Sequence, residues 1–406
     1  MRIPILAGKT DAGTSSLERH VVFGVRHECT DIQFHLNTRN TLHCPSDMEV
    51  VLDCVQSGHH DSQWCLQIPG SGIPTCLACC IEDLEASHIP ILKKKTVLSN
   101  FLQVTSHLSS ALVPLLGQNI PITCHIIFTL LELMKVCDEA VISMATEACL
   151  NILQTLQSED LVCFLLDGIA DNCEKTSDHL QSNTLHVLLG KLLKMIPNLP
   201  ARFLKDHGTH LNYLINGLQY PSEPVQSAIV VVLVQLCDKS VQKLIPLEFI
   251  SQVPKTALLL LNGAREERLL GNTLVLMKKL LLFDGAVDTL MQIDVDGVTL
   301  LSVLRRMMSM KIPNLHLTCV QILLLILQSK HDRAEQILNT DLIEFLFEAL
   351  DTKNIKHLEC LFSCLVPLVK LDTFYLKCHS IYGIESLLNC LHTLYNIKTA
   401  DLLEIG

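Results

Sequence analysis

Aromatic side chains are scarce in this chain, at 4% of its 406 residues, with Trp64 the only tryptophan. Strands draw on aromatic and β-branched residues, so the shortage turns the reading away from a barrel or sandwich. Positive charge is also in short supply: 31 Lys and Arg stand against 42 Asp and Glu, giving a net charge of −11. Recognition of nucleic acid through its phosphates needs a positive surface, and so does attachment to an anionic bilayer. Neither direct nucleic-acid binding nor a membrane surface is therefore expected. Long apolar runs are missing as well. The longest, Ala228–Val234 and Ile322–Leu327, fall well short of the ~20 residues that cross a bilayer. The opening MRIPILAGKTDAG carries no sustained apolar signal segment.

Catalytic patterns are absent in the same way. The chain has no HExxH pair and no G-x-S-x-G elbow, the devices that place a metal base or expose a nucleophilic serine. Ala7–Thr10 reads AGKT, but a phosphate loop needs glycine five residues before Gly8, and that position is Ile3. Asp294–Gly297 reads DVDG, a fragment of a calcium loop whose glycine comes too early and whose following position is Val298. A turn between helices is expected there. His207 and His210 flank a glycine at a helix break and are expected in an exposed turn. These readings describe a protein that is not an enzyme, with no cofactor and no small-molecule substrate.

What the chain does hold is apolar material, 49% of residues, carried mainly by leucine and accompanied by few glycines. Leucine is a good helix former. Its 18 cysteines are too dilute for a short disulfide scaffold. Most of those after Cys124 lie inside apolar helical stretches such as EACLNIL and LFSCLVPL, where they serve as small hydrophobes. A reducing compartment is expected.

Residues 1–72 show no long helical pattern and read as an irregular or partly disordered N-terminal extension. Gln67–Thr75, QIPGSGIPT, punctuates the boundary. Residues 73–406 read as one helical repeat domain. Leucine-type residues recur at three- and four-residue spacing over Lys94–Leu116, Pro121–Val136, Glu139–Leu156 and Asp160–Cys173. Ser158, Ser222 and Thr340 mark starts, and Pro197, Pro200 and Gly208 mark stops or bends. Five first helices begin near Leu161, Leu211, Leu258, Leu301 and Leu342, spaced 50, 47, 43 and 41 residues apart. Each is followed by a more apolar second helix, clearest at Val225–Cys237, Leu315–Leu327 and His357–Val369. Armadillo and HEAT repeats run ~40–47 residues. A single hairpin of this kind cannot cover its own apolar face, so it must bury it on its neighbour. The expected fold is all-α, an armadillo/HEAT-like α-solenoid of stacked helical hairpins.

Two local clusters need weighing. Cys76, Cys79 and Cys80 are candidate metal ligands, with Cys65 and His59–His60 able to complete a site. The spacing matches no established zinc pattern. The alternative reading is the first turns of an amphipathic helix, with Cys76, Leu77, Cys80 and Leu84 on one side, and this is favoured over both a metal site and a redox motif. Lys93–Lys94–Lys95 is the one compact basic run. It reads as a solvated edge, with contact to an acidic partner or a phosphate as the alternative.

Several strings resemble the meiosis inhibitor protein 1 family. They are CLACCIEDLEASHIPILKKKTVLSNF, LLGKLLKMIPNLP followed by KDHGTHLNYLINGLQYPSEPVQS, then TDLIEFLFEAL, and FYLKCHSIYGIESLL, in that order across roughly residues 76–395. The last is the most specific, through Lys377, Cys378, His379, Tyr382, Gly383, Ile384 and Glu385. The resemblance implies a nuclear germ-cell factor on meiotic chromosomes, needed for programmed double-strand breaks and chromosome synapsis. It implies a scaffold whose partners are proteins of the break-forming machinery. It also implies a longer protein, of which this chain is an isoform, fragment or incomplete gene model. Two other readings accompany it: a general armadillo-like adaptor between cytoplasmic proteins, and a metal-dependent module built on the N-terminal cysteines and histidines.

Overall fold

The computed structural model describes residues 62–67, 74–136, 138–175, 179–310, 312–330 and 332–404. Most of the N-terminal extension, including AGKT and His59–His60, lies outside the described residues. Twenty α-helices, three short 3-10 helices and one short strand pair are the elements among the described residues. It divides into two compact units, meeting at Leu188 and Leu189.

The first unit opens with strand β1 (Cys65–Gln67), which pairs antiparallel with β2 (Pro74–Cys76) in a register that sets Cys65 opposite Cys76. Helices α1 (Leu77–Glu85), α2 (Ile91–His107), α3 (Ser109–Gly117), α4 (Ile120–Leu133), α5 (Glu139–Leu156) and α6 (Glu159–Lys175) follow, and α7 (His179–Met195) runs across the boundary. They stack in two layers. The long helices α2 and α5 pack side by side as one ladder, and α1, α4 and α6 pack in succession as the other. The apolar positions explain the packing. In α5, Val141, Ala145, Ala148, Cys149, Ile152 and Leu153 are all buried, a face too wide to be covered by one neighbour alone.

The expected helix over Lys94–Leu116 is instead two, broken at Leu108, whose backbone leaves the helical region (φ −114°, ψ 39°). Three consecutive side chains cause the stop. Thr105 and Ser106 both donate their hydroxyls to the Leu102 carbonyl, and His107 Nδ1 lies 2.9 Å from the Gln103 carbonyl. Side chains that bond the preceding turn compete with the helical hydrogen-bond ladder and favour its end.

The second unit continues with α8 (Leu199–Asp206), α9 (Gly208–Gly217), α10 (Glu223–Leu236), α11 (Leu247–Gly263), α12 (Glu267–Leu280), α13 (Ala286–Gln292), α14 (Leu300–Ser309), α15 (Pro313–Ser329), α16 (Asp332–Leu338), α17 (Leu342–Glu348), α18 (Ile355–Val369), α19 (Phe374–Ser380) and α20 (Gly383–Glu404). Its two layers are plainer. Helices α10, α12, α15 and α18 pack in sequence as one ladder; α11, α14, α17 and α20 pack in sequence as the other. This is an armadillo/HEAT-like α-solenoid architecture. Helix α11 begins at Leu247, well before the expected start near Leu258, and runs through Pro254. Pro200 opens α8 instead of ending a helix, since proline is tolerated in a first turn.

Each ladder is tied by hydrogen bonds at nearly one sequence separation. Arg306, on α14, donates to the carbonyls of Leu261 and Ala264, 45 and 42 residues earlier. The Glu223 carboxylate accepts from the backbone amides of Arg265 and Glu266, 42 and 43 residues on. Asp288 accepts from Lys330 at 2.5 Å and Arg333 at 2.9 Å, 42 and 45 residues on. Those two cations hold its carboxyl below the usual carboxylate range. The period sensed in the leucines is thus written a second time in the polar contacts, and more regularly.

Buried thiols fill the core between rungs. Burial pushes Cys149 and Cys364 up to about 12 and raises Cys237 and Cys319 further. At neutral pH these are protonated thiols, small and apolar.

Candidate interaction surface

The three lysines of the basic run are each engaged by the chain itself. They sit in the first turn of α2, whose amide end offers them nothing, so they reach to neighbouring elements. Lys93 pairs with Asp83 at 3.3 Å, Lys94 donates to the Leu84 carbonyl at 2.7 Å, and Lys95 pairs with Asp138 at 2.7 Å. Asp138 also caps α5 by accepting from the amides of Ala140 and Val141, and its carboxyl is held low, foremost by the hydrogen bond from Lys95. The run therefore staples α1 to α2 and α2 to the start of α5. This corrects the solvated-edge reading, and the reason is long-range: Asp138 lies 43 positions after Lys95.

His210 also departs from expectation. It is buried inside α9, edge-on to the Phe203 ring at 5.7 Å, because α8 and α9 fold against each other and enclose it. DVDG forms a tight turn with Val295 bridged to Val298, Asp296 and Gly297 both at positive φ, and the Gly297 amide donating to Asp294 Oδ1 at 2.7 Å.

Cys76 precedes α1, and Cys79 and Cys80 lie in its first turn, with Cys76 and Cys80 buried beside Leu77, Ala78, Ile81 and Leu84. Among the described residues, no three His, Cys, Asp or Glu side chains gather as a metal site would need. Ser182 and His186 come within 3.4 Å, but both are buried on one helix turn and the ring's Nδ1 lies 2.6 Å from the Ser182 carbonyl. Neither side chain reaches the surface.

The strings that carry the family resemblance end at the corner between α19 and α20. Cys378 is buried, Lys377 pairs with Glu344 at 3.7 Å, and the His379 ring tilts against Tyr375. Tyr382 takes a left-handed backbone (φ 55°) to turn the corner. A Cβ on Gly383 would sit 2.9 Å from the Cys378 sulfur and 3.0 Å from the Phe347 ring. Ile384 is half-buried and Glu385 exposed. The signature thus builds a sharp, closely packed corner.

A patch of neutral polar groups is exposed where the ends of α2 and α5 meet α3. A groove of about 450 Å³ lies between α2, α3 and α5, lined by Thr105, Ser106, Ser110, Val113, Asn151, Gln154 and Thr155. Asn151 Nδ2 donates to Ser106 Oγ at 2.9 Å across 45 residues. The same pair recurs in the second unit, where Asn272 Nδ2 donates to Ser227 Oγ at 2.9 Å, again across 45 residues. On the next rung Lys278 donates to Gln321 at 2.9 Å. Nothing in the leucine pattern signals these pairs; a search for polar residues one repeat apart would have found them. Exposed apolar residues gather elsewhere, in the last rungs: Val366, Val369, Leu376, Leu388, Leu391 and Tyr395 are each more than half exposed.

Residues 75–406 match the family described as the meiosis inhibitor protein 1 N-terminal domain. The chain is 28% identical over 367 residues to human meiosis inhibitor protein 1, covering 86% of this chain and 28% of that protein. It is 26% identical over 377 residues to the mouse protein of the same name, covering 88% of this chain and 29% of that one. The chain therefore spans less than a third of the length of these relatives. Among solved structures, an engineered protein shares the fold at TM-score 0.51 and 13% identity, over 77% of this chain and 72% of its own. UNC-45 from Drosophila melanogaster does so at TM-score 0.50 and 15% identity, over 82% of this chain and 42% of its own.

Proposed function

Because the chain belongs to the meiosis inhibitor protein 1 N-terminal domain family, we propose that it acts in meiosis as a non-enzymatic scaffold. In this reading it holds proteins that form programmed double-strand breaks and support chromosome synapsis, in germ-cell nuclei. The carrying observation is the family match over residues 75–406 joined to an armadillo-like stack of ladders. Stacked hairpins present side chains at a fixed interval along an extended surface, which suits binding of protein segments. The charge supports proteins over nucleic acid as partners: the chain carries −11, and its compact lysine run is spent on its own carboxylates and a carbonyl. The exposed apolar residues of the last rungs are of the kind that mark protein contacts.

Proximity labelling from the tagged chain in meiotic germ cells tests this. Enrichment of chromosome-axis and break-machinery proteins is expected. A cytoplasmic chain that labels only transport receptors or somatic adaptors would replace the reading with that of a general cytoplasmic adaptor.

A further inference from the structure

We infer that the α2–α3–α5 groove binds a short, uncharged, extended segment of a partner protein through its backbone. This rests on the scaffold reading and names the chemistry that one surface recognises.

The lining decides the class of ligand. Six of its seven residues carry hydroxyl or carboxamide groups, and none carries a charge. A charged ligand would find no counter-ion in the groove. Nucleotides and sugars stack on aromatic rings, and no ring lines it. A helix satisfies its own backbone groups and docks by an apolar stripe, whereas only Val113 here is apolar. An extended peptide differs from all of these, because its amides and carbonyls project unpaired and need partners.

Asn151 is held ready to supply them. The Leu102 carbonyl accepts from Ser106 Oγ at 2.8 Å, and Ser106 Oγ in turn accepts from Asn151 Nδ2 at 2.9 Å. That chain of bonds fixes the carboxamide plane and leaves Oδ1 with no hydrogen bond among the described residues. Ser110, Gln154 and Thr155 likewise form no side-chain hydrogen bond among them. Carboxamides offer both a donor and an acceptor, as a peptide unit does. Packed helices lie about 8–10 Å apart, and an extended chain advances about 3.3 Å per residue, so one rung spans about three residues. Val113, 47% exposed, gives one apolar side chain of such a segment a contact.

The test displays random peptides of about nine residues, three rungs' worth, to the whole chain. Enriched sequences are expected to lack Asp, Glu, Lys and Arg over a central stretch of about three residues and to place Val, Ile or Leu within it. Affinity for a synthetic copy of an enriched peptide is expected to fall about tenfold in Asn151→Ala, the loss of one well-aligned buried hydrogen bond. It is expected to fall further in the Asn151→Ala/Gln154→Ala pair. Unchanged thermal unfolding of these variants keeps folding out of the result. Absence of enrichment, enrichment of charged or helical sequences, or equal affinity for the Asn151→Ala chain would overturn the inference. The scaffold reading fails separately, by loss of germ-cell labelling from the wild-type chain. If the Asn151→Ala/Gln154→Ala chain labels its partners unchanged, the groove alone is overturned.

Discussion

The same serine–asparagine rung occurs in both units and is used in opposite ways. In the second unit Ser227 is 1% exposed and the pair with Asn272 is part of the packing between α10 and α12. In the first, Ser106 is exposed and the pair with Asn151 borders an open groove. The geometry of the bond is alike, so the difference lies in what surrounds it. In the first unit Ser106 is the second-last residue of α2, beside the break at Leu108, where the ends of α2 and α5 and the start of α3 border the groove. In the second, Ser227 lies in the second turn of α10 and is closed off by the packing around it. One polar contact across a repeat can thus serve packing within a helix pair or border an open groove beside a helix end.

The largest effects are expected from the ladders' apolar cores. Leu153 in α5 and Leu323 in α15 are both fully buried, and truncation to alanine in such sites costs about 2–5 kcal/mol. Hydrogen exchange should report each loss in the variant's own unit first. Equal loss of protection in both units from Leu153→Ala would break the division into two. Next comes the signature corner. Gly383→Val adds atoms where a Cβ already meets Cys378 and Phe347, at a cost of about 1–3 kcal/mol. Chemical denaturation of the chain measures it.

The rung itself gives the sharpest contrast. Ser227→Ala removes the buried partner of the Asn272 amide and is expected to destabilise by about 1–2 kcal/mol. Ser106→Ala acts where water can replace the hydroxyl and should cost less than about 0.5 kcal/mol. Similar costs for the two would show that their surroundings are not the cause.

The smallest expected effect is one of pH and belongs to the second unit. His357 is buried near the N-terminus of α18, near His316 of α15. The Nε2 atoms of both are buried without a hydrogen-bond partner. Burial lowers the pKa of each below 6.5; the neighbouring His316 adds to it for His357, and a hydrogen bond to the Met308 backbone opposes it for His316. Below pH 6.5 the unfolded chain takes up protons that the folded chain refuses. Stability is therefore unaffected above that pH and falls as the pH drops through the two folded-state values. Melting temperatures between pH 7.5 and 5 should show the fall, and the His316→Gln/His357→Gln chain should flatten it.

Much of the fold was legible because it is local. Leucines at three- and four-residue spacing gave the helices Glu139–Leu156 and Leu342–Glu348 close to where they stand, and the spacing of first helices gave the repeat. The strings around Lys377–Glu385 gave the family. What escaped was decided across a repeat. The lysine run could not be paired until Asp83, Leu84 and Asp138 were known to surround it. His210 looked like a turn residue until α8 closed on it. The groove depends on Ser106 and Asn151 meeting at a separation of 45, which the drifting 41–50 spacing of the leucines was too coarse to fix.

Hydrogen exchange of the whole chain, alone and with a partner purified from germ-cell nuclei, tests the central claim most directly. Slowed exchange along the ladder helices, α2 and α5 among them, is the outcome predicted for a scaffold that holds its partners on stacked rungs. Binding that leaves every ladder helix exchanging as before would contradict it.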